Sequence, residues 1–201
     1  MKLANSFFIR SDVTRIARQL LGKVLVTRID GQLAHGIIVE TEAYSYKEKG
    51  SHAFKGMTKR NEVMFEGGGR AYVYLCYGVH EMFNVVTNKK GKADAILIRA
   101  LEPLSGIERM MDRMNTHVMA RITSGPGKLT RAMGIDRKLN GESLEMNKIW
   151  IEDRGAKIKP MDIISGPRIG IDYAGDDALL PWRFTIRGNK WVSKKVESYK
   201  L

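Results

Sequence analysis

One cysteine, Cys76, stands among the 201 residues, so no internal disulfide braces the chain and its stability has to come from a packed core. The four histidines, at positions 35, 52, 80 and 117, fall in no ligand spacing such as His-x-x-x-His, and the sequence therefore codes no recognisable metal centre. No window approaches the roughly 18 consecutive apolar residues of a membrane span. The opening Met1-Lys2-Leu3-Ala4-Asn5-Ser6 has no signal-peptide apolar run. A soluble, cytoplasmic protein without metal, cofactor or membrane partner is expected. Internal repeats, low-complexity tracts and linkers are also missing, which points to one domain over residues 1–201.

Acidic residues are the minority, with 22 Asp and Glu against 34 Lys and Arg and a formal net charge of +12. A polyanion is the first partner this suggests. Residues 1–100 hold 16 basic and 9 acidic side chains and residues 101–201 hold 18 and 13, so the excess belongs to the folded body rather than to a tail. Hydrophobic residues make up 43% of the chain, enough for a core and too many for a disordered segment.

Ser11-Asp12 precedes apolar residues at 13, 16, 17, 20 and 21, with Gly22 after them, and this predicts a capped amphipathic helix. Lys23 to Arg28 and Leu33 to Tyr44 read as a hairpin around Asp30-Gly31. A Lys-, Gly- and Ser-rich loop runs from Ser45 to Arg60. Further strands are expected at Ala71–Tyr77, Met82–Thr87 and Ala95–Leu101, the last ended by Pro103. Helices follow at about 105–114 and 127–133. Short strands come at 148–153, 167–171, 182–187 and 191–192. Hairpins with grouped helices argue for an α+β fold around a curved, mostly antiparallel, barrel-like sheet flanked by helices.

Few segments carry chemistry. Ser124-Gly125-Pro126-Gly127-Lys128 is not a P-loop, because Ile122 stands where the first glycine is needed and Leu129 where a Ser or Thr is needed. Its helix start with Lys128 fits either a DNA phosphate contact or a plain cap. Val39-Glu40-Thr41-Glu42-Ala43-Tyr44 puts two carboxylates on one strand face. They suit a water-activating base with a positioning neighbour, or a solvated edge strand. Tyr72 and Tyr74 share a face and suit base stacking or a core, whereas Tyr77, at the turn made by Gly78, is less suited to burial. Cys76 reads as a small core residue.

These segments, with Asn61 to Phe65, Phe83-Asn84, Leu97 to Pro103, Pro167-Arg168-Ile169-Gly170-Ile171 and Pro181 to Phe184, occur in the order seen in alkyladenine (3-methyladenine) DNA glycosylases. The chain resembles a compact bacterial-type member of that family. The resemblance implies a monofunctional, monomeric enzyme that flips damaged purines out of double-stranded DNA and hydrolyses the N-glycosidic bond. Glu42 matches the general base and Arg99 the residue that helps hold its water. Tyr44 and Tyr74 match the rings that sandwich the flipped base, with His52 as a third wall. Asn84 matches the side chain that disfavours guanine, Met64 shapes the pocket beside it, and Ile169 matches a backbone contact to water or base. Tyr77 matches the wedge that fills the vacated stack, and Arg60 and Lys128 are expected on the DNA surface. Glu40 is a candidate general acid by proximity alone. The Tyr44–His52 loop is shorter than in the mammalian pattern, and His80 stands where a phenol is familiar. The competing readings are a noncatalytic nucleic-acid-binding module and a formyltransferase-related tRNA-binding fold. The first would use the same tyrosines for stacking and is excluded by base release above a no-enzyme control; the second gives no reason for Glu42, Tyr44, Tyr74 and Arg99 to converge.

Overall fold

Asp12 cannot continue a helix easily but can cap one, since its short carboxylate reaches back to the first free amides. In the computed structural model, which describes residues 1–194, it accepts the Arg15 N–H at 2.9 Å. A short α1 (Asn5–Phe8) precedes this cap, and α2 (Val13–Leu20) follows it. The inward stripe of α2, Val13, Ile16, Ala17 and Leu20, is buried, and each of the larger side chains contributes up to about 2 kcal/mol by leaving water.

The expected hairpin joins β1 (Val24–Ile29) to β2 (Gln32–Tyr44). Asp30 and Gly31 both have positive φ, 50° and 75°, the twist that a two-residue hairpin turn requires. Then come β3 (Ala71–Cys76), β4 (His80–Thr87), β5 (Asp94–Ser105), α3 (Ile107–Met114), α4 (Pro126–Met133), β6 (Ile149–Glu152), β7 (Ile163–Gly166) and β8 (Arg183–Ile186). The strands form one antiparallel sheet in the order β3-β4-β5-β2-β1-β6, with β8 paired to β2 and β7 to β8. The sheet curls into a half-barrel with the helices outside it, an α+β architecture as expected. Three register shifts along the β2–β5 pairing bend β2. One side of β2 is therefore shared, first by β1 and then by β8.

Beyond shifts of a residue or two at element ends, three expected strands differ. Pro103 lies inside β5, because β4 pairs only with Asp94–Leu97 and the outer side of the later segment is an edge, where a missing N–H is tolerated. Residues 167–171 are not a strand; the strand there is Ile163–Gly166, and the amide of Ile169 is engaged by a side chain instead of a ladder. Trp191 and Val192 form a turn, their amides bonded to Asn189, while the indole of Trp191 fills the core.

Alternation divides the sheet into two environments. Val73, Phe83, Val85, Ile96 and Ile98 join the main core beneath α2 and α4. The interleaved Tyr72, Tyr74, Asn84, Leu97 and Arg99 face the concave side and line a cleft.

Candidate active site

Glu40, Glu42 and Tyr44 recur at every second residue of β2, on the face opposite Thr41, whose hydroxyl donates to Ala17 C=O of α2 at 3.0 Å. Here β2 is paired on both sides, to β5 and β8, and neither glutamate has any exposed surface. The solvated-edge alternative therefore fails. Two carboxylates in the interior of a sheet persist only with charge and hydrogen-bond partners.

Arg99 on β5 is the shared partner. Its Nε donates to Glu40 Oε1 at 3.1 Å and its Nη1 to Glu42 Oε2 at 3.2 Å. Burial works against its charge, but the carboxylates of Glu42 and Glu40 outweigh burial and hold its pKa above the ordinary value. Glu40 also accepts from Arg183 Nε at 2.8 Å, from the Ser193 amide at 2.7 Å and from the Ser193 hydroxyl at 2.9 Å. Four donors occupy a carboxylate's acceptor sites, and Glu40 does not line the cleft. Proximity in sequence made Glu40 a candidate acid, but the structure ties it to Arg99, Arg183 and Ser193, away from the cleft.

Glu42 is placed differently. Tyr44 OH donates to Oε2 and the Ile169 N–H to Oε1, both at 2.8 Å. Oε1 thus has one donor and keeps acceptor capacity. The three groups that cover this carboxylate, Tyr44, Arg99 and Ile169, also line a cleft of about 560 Å³, a size typical of small-molecule sites. His52, Arg60, Met64, Tyr74, Tyr77 and Asn84 line the same cleft. The expected convergence is met by ten of the eleven candidate residues, counting Glu42 directly beneath the lining. Lys128 is the exception. It is exposed on the first turn of α4, next to Pro126 at the cleft wall.

The walls brace one another. His52 Nδ1 lies 2.9 Å from Tyr72 OH, and its ring meets Tyr74 edge-on with centroids 4.5 Å apart. Asn84 Nδ2 donates to Tyr72 C=O at 3.2 Å. Tyr72 is a core residue whose hydroxyl orients His52, while Tyr74 is a half-buried wall, with the Arg60 guanidinium 5.2 Å from its centroid. Tyr77, at the β3–β4 tip, is 89% exposed with φ at 50°, a conformation rare for a bulky side chain and one that lifts the ring off the surface. Cys76 is not the core residue expected; it is half-buried in the cleft wall, because the end of β3 overhangs the concave face. At the other rim, a Cβ on Gly127 would sit 2.9 Å from the His80 ring, so glycine there lets β4 and the start of α4 close together.

The methylpurine-DNA glycosylase (MPG) family model matches residues 6–190. A Carboxydothermus hydrogenoformans protein named "Putative 3-methyladenine DNA glycosylase" is 47% identical over 97% of this chain and 100% of its own length. One of the same name from Methanocella arvoryzae is 48% identical over 90% of each chain, and one from Desulfitobacterium hafniense 42% identical over 97% and 100%. The chain belongs to the methylpurine-DNA glycosylase family. It is a DNA N-glycosylase of alkylated-base repair, which displaces the noncatalytic-module and formyltransferase-related readings. No helix among the described residues is long and apolar enough to cross a membrane.

In the glycosylase, burial favours the uncharged forms of the tyrosines and His52 of the wall. Burial pushes Tyr72 up to about 12 and raises Tyr74 as well. Burial, followed by the Glu42 carboxylate, raises Tyr44 well above its ordinary value. Burial, assisted by the Arg60 charge, lowers His52 from 6.5 to about 4. In the unfolded chain His52 takes up its proton near 6.5, whereas the folded protein resists until about 4. Between these values the unfolded state binds more protons, so stability falls as pH falls. Thermal unfolding is expected to show a drop in Tm from pH 6.5 towards 4 that is smaller in His52→Gln; equal slopes for both proteins would rule out His52 as the source.

Sequence reasoning missed the group behind Tyr44. Arg168 is buried, bonded to Glu48 at 2.6 and 2.8 Å, to Ala43 C=O at 2.9 Å and to Asp177 C=O at 2.9 Å. Its guanidinium lies 4.7 Å from the Tyr44 ring centroid and 5.3 Å from that of Trp182. Ile169, the next residue, supplies the amide on Glu42. The only local signal was an arginine between a proline and an apolar residue.

Proposed function

We propose that the protein is a monofunctional DNA glycosylase, acting as a monomer and a single domain in the cytoplasm. It takes 3-methyladenine, other alkylated purines, hypoxanthine and ethenoadenine out of double-stranded DNA and so starts base excision repair. The observation that carries this reading is the buried Glu42 carboxylate, held by Arg99, Tyr44 and the Ile169 amide under an aromatic cleft.

In this reading the target nucleotide leaves the stack and its base enters between Tyr44 and Tyr74, against His52. Stacking of this kind is worth about 1–3 kcal/mol per base, and the electron-rich faces favour a cationic purine further. Uncharged phenols and a neutral His52 do not repel that cation. Glu42 Oε1 takes a proton from a water, whose oxygen bonds to C1′ as the N-glycosidic bond breaks and its electron pair leaves with the base. The carboxylate also offsets positive charge developing on the sugar, and Arg99 holds it in place. A base that is already cationic departs neutral, with no acid required. Among the described residues no lysine lines the cleft, which favours water over an amine as the nucleophile.

Tyr77 supplies the wedge for the vacated stack, and Arg60, Lys128 and the net +12 charge hold phosphates in a salt-sensitive, sequence-independent way. The test is a panel of duplexes, each with one defined lesion, read as alkali-labile sites after incubation. Release of 3-methyladenine or hypoxanthine without strand cleavage by the enzyme itself is expected; strand nicking in the absence of alkali would sink the monofunctional assignment. Asn84 donates one amide hydrogen to Tyr72 C=O, which fixes the amide so that its other hydrogen meets the exocyclic amine of a guanine. Asn84→Ser is therefore expected to raise excision of 7-methylguanine relative to hypoxanthine by roughly tenfold, in line with about 1–3 kcal/mol for one polar mismatch. An unchanged ratio in competition assays would remove Asn84 from this role.

A further inference from the structure

Across the sheet from Glu42, on the α2 side, lies a second and larger groove of about 990 Å³ that shares no lining residue with the cleft. Its floor is apolar, with Leu3, Phe7, Leu21, Ile158, Pro160 and Ile163. Around the floor stand Arg10, Arg15, Arg18, Lys23 and Lys157, against one acid, Asp153. Asp153 is already paired with Lys23 at 2.7 Å, and Asp12, beside Arg10 and Arg15, is engaged in capping α2. No ion pair among the described residues takes up Arg10, Arg15, Arg18 or Lys157. Arg15 and Arg18 are exposed one turn apart on α2, with Gln19 beside them. Arg10 and Arg15 repel one another, and Asp12 offsets only part of that positive charge while Arg10 Nε donates to Phe7 C=O at 2.8 Å.

Two further features narrow the occupant. Arg10 Nη2 and Gln19 Oε1 are buried without a hydrogen-bond partner, and buried polar atoms are normally paired. One is a donor and the other an acceptor, a combination that the N–H and C=O of a peptide group can match and a fully ionised phosphate cannot. The groove is also flanked by β7, which among the described residues pairs only with β8. The Arg187 N–H bonds Asp162 C=O, so by alternation Ile163 and Ser165, both groove residues, turn backbone groups to the open edge.

We propose that this groove docks an extended, acidic segment of a partner protein that carries apolar side chains between its carboxylates. The carboxylates meet Arg10, Arg15, Arg18 and Lys157, the apolar side chains cover the floor, and the segment's backbone pairs with the edge of β7 in the manner of strand addition. DNA fits less well: its backbone presents only acceptors here, and Phe7, the one aromatic ring in the groove, is already covered by the Arg10 guanidinium at 4.3 Å. Because the sheet separates groove and cleft, docking leaves the Glu42 side free for damaged DNA.

The probe is a fluorescein-labelled decapeptide alternating glutamate and valine, titrated with full-length protein by fluorescence anisotropy. Saturable binding is expected, weakened about tenfold or more by Arg15→Glu with Arg18→Glu, and by N-methylation of alternate peptide amides. Excision by this variant stays at the wild-type rate, which verifies its fold; Arg15→Gln with Arg18→Gln replaces it if the charge reversal does not fold. The proposal is overturned if binding does not saturate, if a lysine–valine decapeptide binds equally, or if neither variant weakens binding. It is equally overturned if undamaged duplex DNA or inorganic phosphate displaces the peptide, since the groove would then be a DNA or simple anion surface.

Discussion

Glu42→Gln is expected to lower single-turnover excision of hypoxanthine from duplex DNA by about 10²- to 10⁴-fold, the range for losing a positioned general base, while affinity for the lesion duplex stays within a few-fold. The substitution preserves shape. The amide oxygen still accepts the Ile169 N–H and Arg99 retains Glu40, while the amide nitrogen in place of Oε2 gives up the Arg99 bond and donates to the Tyr44 hydroxyl, so the strand pairing is kept. What disappears is the negative charge and the ability to accept a proton from water. Tyr44 and Tyr74 remain to stack the base, which is why binding survives. Gel-shift affinity and rapid-quench excision on the same duplex separate the two effects. Excision within tenfold of wild type would remove Glu42 as the base and leave the burial of its carboxylate without a catalytic reason.

The largest effect on stability is expected at Arg168. Its side chain is fully buried and bonded bidentately to Glu48, with two backbone carbonyls as further acceptors. Arg168→Met leaves the Glu48 carboxyl buried and without its cation. Breaking a buried pair from one side costs about 3–5 kcal/mol, and for a domain of this size that corresponds to a Tm lower by roughly 6–20 °C. The loss extends into the active site, because the ring of Tyr44 loses the guanidinium packed behind it and Ile169 loses the anchor that aims its amide at Glu42. Combining Arg168→Met with Glu48→Gln is expected to recover part of the stability, since no uncompensated charge then remains. Calorimetric unfolding of the three variants decides the matter. A loss under about 1 kcal/mol for the single variant would mean that the pair is solvated in solution.

Much of the local structure was legible. The Ser11-Asp12 cap, the apolar stripe through Leu20 and the Asp30-Gly31 turn specify α2 and the β1–β2 hairpin, because each rests on contacts among residues a few positions apart. The strands at 71–76, 80–87 and 94–105 show in their β-branched and aromatic content. Where reading failed, a distant partner had overridden a local rule. Pro103 ends a strand only if both sides are paired, and that depends on where β4 stops. Pro167–Ile171 has the composition of a strand, yet its arginine and its amide are drawn to Glu48 and Glu42.

The candidate site was legible as a set of residues, through the order of motifs, and not as a geometry. Nothing in Val39 to Tyr44 distinguishes Glu40 from Glu42, since they are equivalent by alternation. They differ because β8 and the segment at Ser193 close over Glu40, whereas Glu42 is held by Tyr44 and the residue after Arg168, both of which line the cleft. Arg168 itself could not be ranked above the other cations, because its meaning lies in Glu48, 120 positions away.

By itself, the sequence determined the elements, the absence of any disulfide framework or recognisable metal-ligand pattern, the basic excess and the family. These follow from composition and from interactions short along the chain. Only the tertiary structure decided which carboxylate lies beneath the cleft and which is closed over by β8 and Ser193, that Cys76 lines a wall, and that a second basic groove lies behind the sheet. The physical reason is distance along the chain. Glu42 meets Arg99 across 57 residues and Ile169 across 127, and such meetings are set by how the sheet closes, which no local pattern encodes.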